Sequence, residues 1–377
     1  MYQQDSCYFA KIAEGLKEAG VEELAELGAK DIAPEFRGIH FKADKSTLYR
    51  INYLTRLASR CLAPLISFHC HDADTLYKNA KQIQWEDFFA DGRTFAVSGT
   101  VSDSTISHSK YASLRLKDAV ADYFKEKTGK RPDVSARNPD ILLNLHIRHD
   151  KAKISLDISG GALHRRGYRE ETVLAPMQET VAAAIIRFAK WDGSYPLYDP
   201  MCGSGTLLCE ALMCYCNIPS GIFRNKFALK FLPDFDGSIW EKVKKEADIR
   251  IRELPQGLIA GSDLSEEAVK AAKVNIMGLH YGKNVRIETA DFRKLPAIEG
   301  QVIVANPPYG IRMGGDEDLE VFYKDIGNFL KQKCKGSTAY IYFGDRRYIK
   351  KIGLKASWKK PIKAGGLDGR LAKYKMY

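Results

Sequence analysis

A short apolar run at residues 302–305 delivers the chain into Asn306-Pro307-Pro308-Tyr309-Gly310. Adjacent prolines lack backbone donors and fix φ, so a strand must stop there. What remains at that strand end is a neutral amide, two rigid carbonyls and an aromatic ring. An aromatic amine is a poor nucleophile, because its lone pair is delocalised into the ring. Acceptors from the Asn306 side chain and the Pro307 backbone can bind its two N–H groups, favour a tetrahedral nitrogen and stabilise developing positive charge. Pro307 and Pro308 set that geometry in advance, and Tyr309 offers a ring on which an extruded base can stack. No strong base is needed if the electrophile is a sulfonium methyl. The plainer reading of the same residues is a rigid turn with a buried tyrosine.

Other strand ends carry unusual residues. DPMCGSGTLLCEAL (199–212) reads as strand, Gly-x-Gly turn and helix. Gly203 and Gly205 let backbone amides approach a ligand, and the helix N-terminus adds positive potential. Leu208 stands where a dinucleotide fingerprint needs a third glycine, and the Gly-Lys-Ser/Thr of a phosphate loop is absent. Asp263 closes the strand pattern LIAGSD, where an acidic group typically holds a ribose diol. Asp291, with Phe292 beside it, closes the next. Either aspartate alone could be a helix N-cap, and Ser265 competes with Asp263 for that role. In register with Gly203 and Gly205, the two carboxylates fit an adenosine held edge-on with no phosphate to bind.

The elements that must position these residues follow a regular pattern beyond about residue 177. Helices are expected at 177–190, 204–214, 265–278 and 317–333, and strands at 195–199, 257–263, 285–289, 302–305, 338–344 and 371–377. Such alternation means an α/β unit with a mostly parallel sheet and helices on both faces, where ligands bind beyond the carboxyl ends of the strands. The first part reads as smaller α+β modules. Amphipathic helices are expected at 9–19, 48–62 and 109–129, and strands at 37–43, 65–70, 94–101, 140–150 and 153–160. A Gly-rich, basic, weakly periodic stretch at 160–177 serves as the boundary. No fixed-period repeat or low-complexity tract interrupts the 377 residues.

With 45% hydrophobic and 28% charged residues, the composition is that of an ordinary globular protein. No apolar run approaches the roughly 20 residues needed to span a bilayer, and the N-terminus lacks a signal pattern, so a cytoplasmic enzyme is expected. The eight cysteines show no metal-ligand spacing and read as reduced core thiols, with no metal expected. The net charge of +11 is unevenly placed. Residues 331–377 hold 14 Lys/Arg against Asp345 and Asp368 alone. A single-sign excess of this kind marks a polyanion-facing surface, nucleic acid before membrane. Lys359, Lys360 and Lys363 are its candidate contacts. The sequence leaves the oligomeric state open.

The four strand-end motifs resemble those of S-adenosyl-L-methionine-dependent methyltransferases acting on exocyclic amines, a signature shared by DNA adenine-N6 and RNA guanine-N2 enzymes. EGLKEAGVEELAELGA, LYRINYLTRLASR, QWEDFF, ISLDISGGALHRRGYR and APMQETVAAAII further resemble the bacterial ribosomal RNA guanine-N2 methyltransferases that carry a THUMP domain. That resemblance implies a ferredoxin-like module at 1–71, a THUMP RNA-binding domain at 72–160 and a Rossmann-like methyltransferase domain with a mostly parallel seven-stranded sheet at 161–377. It implies a guanine-N2 activity on large-subunit (23S) ribosomal RNA or its precursor. The alternatives are a transfer-RNA guanine-N2 enzyme, a DNA adenine-N6 enzyme, or a non-catalytic RNA-binding assembly factor. It assigns Asn306, Pro307, Pro308 and Tyr309 to catalysis. The cofactor would be held by Asp199, Cys202, Gly203, Gly205, Thr206, Asp263, Leu264, Asp291, Phe292 and Asn306. Arg165, Arg166 and Arg169 would be phosphate contacts or interdomain salt bridges. Ile311 stands where relatives usually carry Glu, and Gly365-Gly366 where they carry Asn-Gly. Some relatives continue into a second, fused methyltransferase domain, which is not expected here.

Overall fold

The computed structural model describes residues 2–89, 92–171, 176–308, 316–362 and 368–377, the side chains of Asp316 and Glu317 excepted. After a single helical turn, α1 (Tyr2–Asp5), the chain enters strand β1 (Cys7–Lys11). The first turn of the helix expected at 9–19 is therefore strand. Helical spacing would bury Phe9, but Phe9 is half-buried while Tyr8 and Ala10 are in the core, the alternation of a pleated segment. Helix α2 (Lys17–Glu26) begins only at Lys17, and strands β2 (Lys30–Glu35) and β3 (Gly38–Lys42) follow.

Helix α3 (Lys45–Leu54) starts at Asp44, whose carboxylate accepts from the Thr47 amide at 2.7 Å. It was expected to reach residue 62 and stops at Leu54. The cause lies on α2. Glu23, 6% exposed, accepts from Thr55 Oγ1 at 2.7 Å and from the amides of Arg56 and Leu57 at 2.8 and 3.2 Å. A distant carboxylate thus collects donors that another helical turn would have used. Strand β4 (Arg60–His69) then begins.

Helix α4 (Ala73–Lys81), strand β5 (Phe95–Ser102), helix α5 (Ser109–Thr128) and strands β6 (Ile141–Arg148) and β7 (Lys151–Asp157) complete the first half. Its strands form one seven-stranded sheet in the order β2-β3-β1-β4-β7-β6-β5, antiparallel except where β5 lies beside β6. β4 is shared, since it pairs with β1 through its first residues and with β7 along its length.

The second half contains α6 (Glu179–Ala189), β8 (Leu197–Asp199), α7 (Thr206–Tyr215), α8 (Gly237–Asp248), β9 (Ile259–Asp263), α9 (Glu266–Met277), β10 (Arg286–Thr289), β11 (Val302–Ala305), α10 (Asp316–Lys333), β12 (Thr338–Phe343), β13 (Trp358–Pro361) and β14 (Arg370–Lys375). Its sheet order is β10-β9-β8-β11-β12-β14-β13, parallel from β10 to β12 and antiparallel beyond. Ile303, Val304 and Ala305 are all fully buried, as a strand covered on both faces requires. Strand order reverses between β8 and β11, and crevices for ligands form at such points.

Helix α8, which the periodicity did not reveal, joins the halves by packing on α3. Tyr53 donates to Asp248 at 2.9 Å, and the Asp236 amide donates to Tyr49 Oη at 2.9 Å. Trp240 sits edge-on to both tyrosine rings. Arg56 adds bonds to the carbonyls of Met213 and Ile218 at 2.8 and 2.7 Å. Six of the eight cysteines are buried, and none is in a disulfide. No described helix is long and apolar enough to cross a membrane.

Candidate active site

A cavity of about 270 Å³ opens at the carboxyl ends of β8, β9, β10 and β11. Its lining includes Asp199, Cys202, Gly203, Thr206, Asp263, Leu264, Asp291, Phe292, Asn306 and Pro308, residues drawn from four separate strand ends. Register in the parallel sheet brings them together.

The loop after β8 is built differently from the expectation of free glycine amides. Gly203 donates to Asp263 Oδ2 at 2.9 Å, and Gly205 donates to the Cys202 carbonyl at 2.9 Å. Both amides are engaged within the fold, because the loop closes on the neighbouring strand end. The glycines serve instead through conformation and space. Gly203 has φ +55°, and a side chain there would meet nothing within 4 Å. Gly205 has φ +81°, and its missing Cβ would lie 3.1 Å from that of Ala272, so α7 and α9 approach closely there.

Asp263 accepts from Gly203 through one oxygen and from the Ser265 amide at 3.0 Å through the other. Ser265, not Asp263, caps α9 by accepting from the Ala268 amide at 3.2 Å. The Asp263 carboxylate is thus oriented by two amides with lone pairs left over at the cavity. Asp291 does act as a cap, accepting from Arg293 N at 3.0 Å and from Arg293 Nε at 3.0 Å. Partial burial opposes its ionisation, but those donors hold its carboxyl below the usual range. Asp199 is fully buried and accepts from the Met201 amide at 3.0 Å. Burial raises its pKa well above that of an ordinary carboxyl, outweighing that amide. Phe292 is buried edge-on between Phe322 and Phe329. Leu264 is 66% exposed and forms a rim.

Asn306 follows β11 directly, and its Oδ1 is buried without a hydrogen-bond partner among the described residues. Pro307 is buried. The Pro308 carbonyl accepts from Tyr323 at 3.2 Å, and Tyr323 is itself stacked on Tyr348 at 4.8 Å. Helix α10 therefore braces the proline turn, a contact no local pattern signals. Tyr309 and Ile311 lie outside the described residues, as do Lys363, Gly365 and Gly366.

The linker is part of the site's wall. Arg166 is 1% exposed and donates to Glu210 at 3.4 Å and to the carbonyls of Leu163, Arg56 and Thr55 at 2.7, 2.5 and 3.4 Å. It is an interdomain strut, not a phosphate contact, because no face of its guanidinium reaches solvent. Arg169 donates to Thr206 Oγ1 at 2.9 Å and to the Met177 carbonyl at 3.0 Å, and pairs with Glu179 at 3.2 Å. It too is committed within the protein. Arg165 is exposed. Asn275, which the sequence reading missed, accepts from the amides of Glu170 and Glu171 and donates to the Ser204 carbonyl at 3.0 Å. Lys360 pairs with Glu18 at 3.1 Å and lies 4.9 Å over the Phe188 ring, so it joins domains, while Lys359 is exposed.

Residues 166–373 match the UPF0020 family model, described as RMKL-like, methyltransferase domain. Residues 70–157 match the THUMP domain, and residues 8–62 match the RlmL ferredoxin-like domain. The chain is 39% identical over 372 residues to slr0064 of Synechocystis sp., which carries the provisional name RNA methyltransferase, covering 98% of this chain and 97% of that one. It is 36% identical over 380 residues to the ribosomal RNA large subunit methyltransferase K/L of Syntrophotalea carbinolica, covering 97% of this chain and 53% of that one. The chain thus spans about half the length of the K/L relatives it matches. A solved protein, SMU.472, provisionally named a methyltransferase and complexed with SAH, aligns at TM-score 0.88 and 26% identity over 98% of each chain. The cavity lining suits a cofactor of the kind SMU.472 is complexed with: an acidic pair flanked by apolar walls, with a buried acceptor at the rim. Since the glycine loop, the three cavity aspartates and the Asn-Pro-Pro turn all lie within the matched span, the chain belongs to the UPF0020 family of RMKL-like methyltransferases.

Proposed function

We propose that this chain transfers a methyl group from S-adenosylmethionine to the exocyclic N2 amine of a guanine in 23S ribosomal RNA. The observation that carries this reading is the buried, unpartnered Oδ1 of Asn306 at the cavity rim. Leaving a buried acceptor unmade costs about 1–3 kcal/mol, a cost that is offset when a bound amine supplies the donor. The Asn306 amide and the Pro307 carbonyl accept the two N–H groups of the target amine and stabilise the charge that develops on nitrogen. Tyr309 stacks the extruded base. Asp263 accepts the ribose hydroxyls of the cofactor, and Asp291 with Phe292 borders its base. Bound S-adenosylmethionine supplies an electrophilic sulfonium methyl.

Support for RNA comes from the THUMP match, and support for the large ribosomal subunit from the names of the K/L relatives. The working division of the chain is 1–71, 72–160 and 161–377, and the site of action is the cytoplasm. The test is nucleoside mass spectrometry after incubating the purified chain with isotopically labelled S-adenosylmethionine and, separately, ribosomal RNA, ribosomal precursor particles, transfer RNA and DNA. Labelled N2-methylguanosine in ribosomal RNA is expected. Label confined to transfer RNA, or recovered as N6-methyladenine from DNA, would overturn the reading.

A further inference from the structure

The N-terminal sheet has a face that the methyl-transfer site does not use. Directly paired residues share a face, and the register places Thr100, His146, Lys153 and Ser67 in one row across β5, β6, β7 and β4. Phe9 and Lys11 continue that face across β1, opposite Leu62 and Arg60. These are hydroxyls, an imidazole, cations and one ring, on a surface where Thr100 is exposed and His146 and Lys153 are half-buried. Thr100, His146, Lys153, Phe9 and Lys11 line a concavity of about 450 Å³ together with Arg37, Arg148 and Lys151. Phe36, 37% exposed at its edge, carries the Arg148 guanidinium 3.9 Å above its ring. The acidic group there is Glu35, whose carboxyl is pulled down to about 2 by His40 first and Lys153 second, against partial burial.

Cations continue from this concavity to the cavity of the methyltransferase domain. Lys11 lies opposite Arg60, which is paired with the buried Asp157. The Leu163 amide donates to the Ser59 carbonyl at 2.8 Å, which brings the linker alongside. His164 there has its pKa lowered to about 4 by burial and then by Arg166, Arg165, Arg60 and Arg169, which shows how closely the cations gather. Arg169 reaches the cavity wall at Thr206 and Met177.

We propose that a single-stranded stretch of the substrate RNA, adjoining the target nucleotide, lies on this open sheet face and follows Lys153, Lys11, Arg60 and Arg165 to the cavity. The inference rests on the RNA reading above and adds the path. Unpaired bases can enter a concavity that offers rings for stacking and side chains for their edges, whereas a duplex presents mainly phosphate and ribose on a convex surface. Lys153 and Lys11 on this face, with Arg37, Arg148 and Lys151 around the same concavity, suit a phosphate backbone running across the sheet.

The experiment measures binding of a labelled oligouridylate and of a blunt RNA duplex of equal length, as a function of salt. The proteins are the wild type, Lys11→Gln/Lys153→Gln, and Arg37→Gln/Lys151→Gln, the last pair at exposed positions so that folding is preserved. S-adenosylmethionine affinity is measured alongside and should be unchanged in both. The wild type should prefer the single strand. Each variant should bind it about tenfold more weakly, with the log-affinity against log-salt slope flattened by about 0.7 per lost contact. A wild type that binds the single strand while both variants match it in affinity and slope overturns the path and leaves the guanine reading standing, as does a preference for duplex. A wild type that binds neither RNA overturns the path, and the labelling of ribosomal RNA described above then decides the guanine reading by itself.

Discussion

The two seven-stranded sheets keep their polar residues in opposite places. In the C-terminal sheet the central strands are parallel and buried on both faces, so Ile303, Val304 and Ala305 are apolar throughout and the cavity's polar residues gather at the ends, at Asp199, Asp263 and Asn306. In the N-terminal sheet one face meets the core through Leu143, Leu145 and Ile147, while His146 between the last two turns toward the open face. The number of buried faces therefore decides how function is written. A doubly covered sheet writes it as short contiguous motifs after strands, and a singly covered sheet as every second residue across several strands.

The strand-end half of this comparison is tested hardest by Asn306→Ala. An acceptor that matters as nitrogen rehybridises should cost about 10²–10³ in single-turnover rate, with little loss of cofactor or RNA affinity. Weak S-adenosylmethionine binding with a normal rate at saturation would reassign the amide to the cofactor. Asp263→Ala comes next. It removes a charged acceptor and releases the Gly203 amide, and should weaken S-adenosylmethionine binding by about 30–150-fold in calorimetry, or about 2–3 kcal/mol. Unchanged affinity would leave Asp263 as loop scaffolding.

The junction between the sheets gives a smaller, pH-dependent effect. His164 titrates near 6.5 when unfolded and near 4 when folded, so between those values the unfolded chain binds more protons. Stability should be at its full value above about pH 6.5 and fall as pH drops toward 4, by on the order of 1 kcal/mol after solvent screening. Urea unfolding at stepped pH should show this slope, reduced in His164→Gln. The smallest effect is expected at β13. Lys359→Ala/Lys360→Ala should change the salt slope of RNA binding by no more than about 0.7, from Lys359 alone. Losing the exposed Lys360–Glu18 pair should cost less than about 1 kcal/mol in thermal unfolding. A larger slope change would mean that β13 faces RNA as well.

The same difference governs what could be read from the amino acids. Each of these strand ends of the C-terminal sheet lies next to its own cavity-lining residue in the chain, so that Gly203, Asp263, Asp291 and Asn306 gather in one place was legible. Their partners were not. Tyr323, Asn275 and Glu210 act across 15 to 105 residues of chain, where no local spacing reports them. In the N-terminal half, residues 9–11 fitted two periods at once, and burial rather than spacing chose the strand. The end of α3 is set by Glu23, a carboxylate 32 residues from the threonine it binds. The basic C-terminus showed a true excess, but charge alone could not separate Lys359, which is exposed, from Lys360, which is spent between domains.

Arg166 gives the linker a mechanical character. With its guanidinium bonded at once to Thr55, Arg56, Leu163 and Glu210 in the interior, the join between the halves is a weld rather than a tether. The span from the N-terminal sheet to the methyl-transfer cavity is then a fixed length of the molecule. A substrate anchored on that sheet, as proposed above, would be measured as by a ruler: nucleotides inserted between anchor and target would move the methylated position along the strand instead of being absorbed by a flexing hinge.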